Sequence, residues 1–193
     1  MFDIALIDQC KNQNVPTEMI QQIIKVESNF NTFAINVNSK GKSVVTLYPK
    51  TKEEAKKIAT SYIDQGFSVD LGLMQFNSNN LLLKSFAHLS LDDILDPCTN
   101  IKAGSDIFYN AYIATDKSLP NDTRIQKALS VYNTGNEKRG FENGYVAKYS
   151  SITPKTKSTI DEARYSSTKI ELTFSSFNLN NFQNLQKNLK NYE

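Results

Sequence analysis

Glu27 stands where its helix should carry an apolar side chain. From Pro16 to Ser28 the residues Ile20, Ile23 and Ile24 recur at helical spacing, and position 27 continues their stripe. A carboxyl group there is drawn partly out of water, which raises its pKa. It also falls in the last turn, where the helix dipole disfavours negative charge. A glutamate that keeps its proton near neutral pH is what a general acid requires. The plain alternative is a rim glutamate that reaches solvent or pairs with Lys25 or another base.

Two further features carry chemistry. Tyr132 ends the stripe Ile125, Ala128, Leu129 just before Asn133-Thr134-Gly135 breaks the helix, so its hydroxyl lies at the helix end; the alternative is a core tyrosine with a satisfied hydroxyl. The run Gly72-Leu73-Met74-Gln75-Phe76-Asn77 offers close backbone approach at Gly72 and paired donors and acceptors at Gln75 and Asn77. Such groups suit sugar hydroxyls and acetamido groups; the alternative is ordinary helix-start packing.

Other reactive types are sparse. His88 is the one histidine, and Asp92, Asp93 and Asp96 do not have the spacing of a calcium loop, so neither a metal site nor a cofactor is expected. Ser28, Ser130 and the cysteines have no histidine nearby in sequence. Cys10 and Cys98 are the only thiols. They are either two buried small hydrophobes or one disulfide, which requires an oxidising compartment.

The elements that must position these residues read as mostly helical. Helices are expected over 2–11, 16–28, 52–65, 99–114 and 122–133, with Gly66 and Gly135 as stops and a small hairpin or loop between residues 35 and 50. The chain of 193 residues is 39% hydrophobic and 22% charged, a globular balance. Its net charge of +2 argues against a nucleic-acid binder. No apolar run approaches the roughly 18 residues of a membrane span. The start has no basic, apolar signal pattern, so either the protein is cytosolic or the numbering begins after a removed leader. Residues 1–150 hold 16 basic and 16 acidic residues, and composition shifts at the polar stretch 150–159. The expected organisation is a domain over 1–150, then a polar linker and an Asn/Gln/Lys-rich extension over 151–193.

Three motifs, in this order, resemble those of the lytic transglycosylases, relatives of goose-type lysozyme. Val15-Pro16 through Val26-Glu27-Ser28 resembles the family's glutamate-serine helix end. Gly72-Leu73-Met74-Gln75 is similar to its GLMQ motif, and Ala128 to Gly135 to its alanine-tyrosine-asparagine motif. A narrower resemblance, to the transglycosylases of type IV secretion and conjugation systems, rests on four features. These are Cys10, the long interval from Glu27 to Gly72, the segment Asp96-Pro97-Cys98 through Gly104, and Tyr132-Asn133-Thr134-Gly135-Asn136 followed by Gly144-Tyr145-Val146. Departures from the family pattern are Leu71 where many relatives have a small residue, and Val131 where many have alanine.

The resemblance implies a mainly α, lysozyme-like fold of the goose-type superfamily. It implies a Cys10–Cys98 disulfide, a periplasmic location, peptidoglycan as substrate and a secretion or conjugation apparatus as partner. It further implies cleavage of the β-1,4 bond between N-acetylmuramic acid and N-acetylglucosamine, with 1,6-anhydro ends. Glu27 would be the acid and then the base, and Tyr132 would hydrogen-bond and orient it. Gly72, Met74, Gln75, Asn77 and Asn133 would shape the sugar sites, Ser28 would cap or orient the Glu27 helix, and Tyr145 would line the site or the core. Asp70 is either a second carboxylate, as in a water-using muramidase, or the cap of the turn before Gly72. A non-catalytic glycan-binding scaffold is the remaining expectation, and the retention of Glu27 with its companions weighs against it.

Overall fold

The computed structural model of the chain describes residues 3–149. The expected boundary at residue 150 and the extension over 151–193 lie outside the described residues. Helices dominate: α1 (Ile4–Cys10), α2 (Thr17–Ser28), α3 (Lys52–Asp64), α4 (Leu91–Ile94), α5 (Pro97–Ile113), α6 (Asn121–Thr134) and α7 (Arg139–Glu142). Among the described residues four short strands accompany the helices: β1 (Ile35–Ser39), β2 (Lys42–Leu47), β3 (Ser68–Leu71) and β4 (Phe76–Asn77). They form one antiparallel sheet in the order β2-β1-β3-β4.

The expected helices are present with ends shifted by a residue or two. Each has a local reason to start or stop. Asp3, Thr51, Ser90 and Asp96 accept from backbone N–H groups one turn on and cap α1, α3, α4 and α5. Pro97 opens α5, where a missing N–H costs nothing. Gly135 ends α6 in the left-handed conformation at φ 66°. The expected hairpin between residues 35 and 50 is β1–β2, closed by Lys40 and Gly41, both at positive φ.

The sheet is larger than that hairpin. Gly72 to Gln75, for which helix-start packing is one of two sequence alternatives, is the turn of a second hairpin, β3–β4. Its register sets Leu71 opposite Phe76 and Asp70 opposite Asn77. A two-residue strand flanked by a glycine turn is too short to show a period of two, so the sequence carried no strand signal there.

Two cores meet at this turn. One gathers α1, α2, α5 and α6 around Ile20, Ile23, Ile24, Leu73, Met74 and Phe108. The other packs the inner sheet face (Ile35, Val37, Val69, Leu71, Phe76) against Ala55 and Ala59 of α3. Helix α5 borders both, with Ile101 and Phe108 in the first and Ala103 in the second. It is buried nearly all round, as a central helix must be. The Cys10–Cys98 disulfide exists: its Cα atoms are 5.1 Å apart and it ties the end of α1 to the start of α5.

Candidate active site

Helix α2 delivers Glu27 to the edge of the first core. Met19, Ile20, Ile23 and Ile24 bury its apolar face. Asn29 and Phe30 follow in the left-handed region, at φ 49° and 64°, so the chain turns away at once. Ser28 is buried and donates its hydroxyl to Ile24 O at 3.1 Å, closing the last turn from within. Glu27 is thereby left half-buried at the helix end. Burial pushes its carboxyl up to about 7, the nearby Asp70 charge adds to the rise, and Tyr145 and Lys148 oppose it.

The hydroxyl that donates to Glu27 Oε1 is that of Tyr145. Tyr145 is almost wholly buried, and its hydroxyl also meets that of Tyr149 at 2.9 Å. The two rings are tilted at 55° with centroids 5.4 Å apart. Tyr132, expected to make the bond to Glu27, donates instead to Met74 O at 2.6 Å. It still lies near enough for the Glu27 charge to push its own pKa up, after burial, which is the larger cause. The physical reason for the exchange is reach. The end of α6 meets the Gly72–Gln75 turn through the bond from Tyr132 to Met74 O, whereas Tyr145 and Tyr149 belong to the first core together with the apolar face of α2, and the Tyr145 hydroxyl reaches Glu27.

The turn itself is fixed from both sides. Gly72 has φ 72° and donates to Ala34 O at 2.8 Å. A Cβ there would meet Asn100 Nδ2 at 2.6 Å. Asn100, fully buried on α5, accepts from Met74 N at 2.8 Å and donates to Leu71 O and Ile94 O at 2.9 and 3.0 Å. Met74 is wholly buried, and Gly104 makes room for it: a Cβ at 104 would lie 2.5 Å from Met74 Cβ. Gln75, at φ 49°, turns its amide back onto Ala34 O and Gly72 O at 3.1 and 2.9 Å. Met74 and the Gln75 amide nitrogen therefore hold the turn from inside, and what Gln75 can offer outward is its carbonyl oxygen.

The other expected residues separate. Asn77 donates to Asp70 Oδ1 at 2.7 Å. Asn133 accepts from Asn143 Nδ2 at 2.9 Å and so braces the loop that leads to Tyr145. Asp70 does not cap the turn; its partners are the side chains of Asn36, Asn38 and Asn77. Tyr149 and the bracing role of Asn100 were missed from sequence. Among the described residues no group of three or more His, Cys, Asp or Glu could hold a metal, and no helix is long and apolar enough to cross a membrane.

The arrangement can hold a proton near neutral pH on Glu27, present it at a half-open position, and return the carboxylate to a tyrosine hydroxyl once the proton is spent. Comparison with known proteins fits this chemistry. The family described as "Transglycosylase SLT domain" matches residues 5–153. "Protein virB1" of Rhizobium radiobacter is 35% identical over 135 residues, 70% of this chain and 54% of that protein. "Type IV secretion system protein virB1" of Brucella abortus (strain 2308) is 32% identical over 141 residues, 72% of this chain and 56% of its own. "Uncharacterized protein y4dP" of Sinorhizobium fredii is 27% identical over 121 residues, 63% of this chain and 59% of its own. The chain thus spans about half the length of the curated relatives it matches. No solved structure matches it.

Proposed function

The chain belongs to the transglycosylase SLT domain family, with its mainly α, lysozyme-like fold, and from that premise we propose that it is a lytic transglycosylase of the cell wall. The observation that carries the reading is Glu27: a single carboxyl group held near pKa 7 at a helix end, with one buried tyrosine hydroxyl as its donor. The substrate is the peptidoglycan glycan strand, cut between N-acetylmuramic acid and N-acetylglucosamine. Glu27 protonates the leaving glycosidic oxygen. The resulting carboxylate, steadied by Tyr145, then takes the proton of the muramic acid 6-hydroxyl as that oxygen closes onto the anomeric carbon. No water is consumed and the product carries a 1,6-anhydro ring. Most glycosidases need two carboxylates, but a substrate that supplies its own nucleophile needs only one for proton transfer.

Gly72, Met74 and Gln75 shape the wall beside the bond, and Tyr132 fixes that wall through Met74 O. The similarity to VirB1 proteins supports action beside a type IV secretion or conjugation apparatus, opening the wall locally from the periplasm. The disulfide supports an oxidising compartment. The catalytic domain in this reading is residues 1–150, followed over 151–193 by a polar linker and an Asn/Gln/Lys-rich extension.

The test is mass spectrometry of the fragments released from purified peptidoglycan. Products lighter by one water than hydrolysis products are expected, with none released by Glu27→Gln. Reducing ends would make the protein a hydrolytic muramidase, and release undiminished by E27Q would remove Glu27 from the chemistry.

A further inference from the structure

Tyr149 brings a second buried hydroxyl to Glu27, one residue group removed. It closes a single 3-10 turn, Val146–Tyr149, and packs its ring against that of Tyr145. Both tyrosines are buried members of the first core. A buried hydroxyl is costly unless its hydrogen finds an acceptor. Among the described residues the Tyr149 hydroxyl meets one partner, the Tyr145 hydroxyl at 2.9 Å.

That distance alone leaves the donor open, but the surrounding bonds decide it. Tyr145 has one hydroxyl hydrogen and directs it to Glu27 Oε1, which as a carboxylate oxygen can only accept. The hydrogen between the two phenols therefore comes from Tyr149, and the Tyr145 oxygen receives it. Burial pushes the Tyr149 hydroxyl far above its ordinary pKa, and the Glu27 charge adds to the rise, so Tyr149 keeps that hydrogen. The three groups form a one-way line, Tyr149 to Tyr145 to Glu27. A donor behind the donor polarises Tyr145 and strengthens its bond to the carboxylate.

The line ends on one oxygen of Glu27. Among the described residues Oε2 has no hydrogen-bond partner, and Glu27 is half-buried rather than sealed in. The other titratable and charged groups that act on Glu27 or on the two phenols do not compete for the line. Tyr132 of α6 gives its hydrogen to Met74 O. The Lys148 ammonium lies over the Tyr145 ring, 5.6 Å from its centre, and has only hydrogens to give. Asp70 of β3 is held by Asn36, Asn38 and Asn77 and reaches Glu27 through its charge.

We propose that Tyr149 is a positioning residue of this site: by donating to Tyr145 it locks the Tyr145 hydrogen onto Glu27 Oε1, and so confines the acid proton to Oε2, the oxygen left open to substrate. This rests on the transglycosylase reading and deepens it. An acid proton on Oε1 would point at Tyr145 and could not reach a glycosidic oxygen. To accept it, Tyr145 would have to turn its own hydrogen toward Tyr149, and Tyr149 fills that direction with a hydrogen already. In the cleavage step the Oε2 proton passes to the leaving oxygen as the glycosidic C–O bond breaks. In the closing step the 6-hydroxyl proton returns to Oε2 as its oxygen bonds to the anomeric carbon. Neither phenol hydrogen moves, so no reorganisation accompanies either transfer.

The test is a double-mutant cycle of Tyr149→Phe and Tyr145→Phe in the full chain, read in two ways. One is the pH profile of kcat/KM on purified peptidoglycan. The other is the titration of Glu27 itself, by carbon NMR of carboxyl-labelled glutamate, assigned from the signal lost in E27Q. Y149F keeps the ring and removes the hydroxyl. It should raise the Glu27 midpoint and the alkaline limb together, by less than Y145F does, and slow turnover about two- to threefold, the size of one cooperative hydrogen-bond effect. In the Y145F background it should shift neither. A Y149F midpoint at or below that of wild type, or a shift that persists in the Y145F background, would overturn the proposal. Should Y149F not fold, 3-fluorotyrosine in place of Tyr149 keeps the ring and makes the hydroxyl a stronger donor. The midpoint should then fall, and an unchanged or raised midpoint would refute the inference. The NMR titration needs no turnover, so an active E27Q would overturn the transglycosylase reading while the midpoints still judge the role of Tyr149.

Discussion

Glu27 sits in tension with the fold, and that tension is measurable. Its carboxyl is raised from an ordinary 4.5 to about 7, chiefly by burial. Between those values the folded protein holds a proton that the unfolded chain has released, so stability falls as pH rises through the window, by about 3 kcal/mol in all. Glu27→Gln has no such proton. In urea titrations it should match wild type near pH 4 and exceed it by about 3 kcal/mol at pH 8, while abolishing turnover. For catalysis the sign is the same. The acid form is lost above about 7, so kcat/KM should fall as pH rises through that value. Tyr145 and Tyr132 separate at this scale too. The Tyr145 hydroxyl favours the Glu27 carboxylate, so Tyr145→Phe should move that alkaline limb to higher pH and slow turnover about tenfold. Tyr132→Phe should leave the limb close to its place, because its bond goes to Met74 O.

Among the elements, the turn between β3 and β4 is the hinge of the design. It belongs to both cores at once, Leu71 and Phe76 to one and Leu73 and Met74 to the other. Helix α5 supports it from beneath through Asn100 and Gly104. Asn100→Ala would leave the Met74 N–H and the carbonyls of Leu71 and Ile94 without that side chain, a loss of about 3 kcal/mol in denaturant unfolding. Gly104→Ala should cost about 1–3 kcal/mol by driving into Met74. It should also lower activity more than its stability loss explains, since Met74 O anchors Tyr132.

For the molecule as a whole, the disulfide closes a sequence separation of 88 residues and joins α1 to the central helix. A loop of that length limits the unfolded chain strongly. A Cys10→Ser/Cys98→Ser variant should be roughly 2–5 kcal/mol less stable than the oxidised protein, and thermal scans with and without reductant give the same comparison.

The helices, their stops and the anomaly of Glu27 were all legible in the sequence, because each is a local pattern: apolar spacing, a capping residue, a glycine past the end. The order of the three motifs also carried the family. The β3–β4 hairpin was not legible, since two residues cannot display a strand period and Gly-Leu-Met-Gln begins a helix just as plausibly. The partner of Glu27 was beyond local reading as well. Tyr132 and Tyr145 both end near the site in sequence terms, but which hydroxyl reaches a carboxylate depends on where two helices and a loop come to rest. The one that does is 118 residues away. Asp70 makes the same point. Its charge and neighbours are written in the chain, but the convergence of three amides on it exists only once four strands are in register. Local periodicity decides what each element is, and tertiary packing decides which polar atoms meet, because a hydrogen bond is lost over a displacement of about an ångström that no sequence pattern encodes.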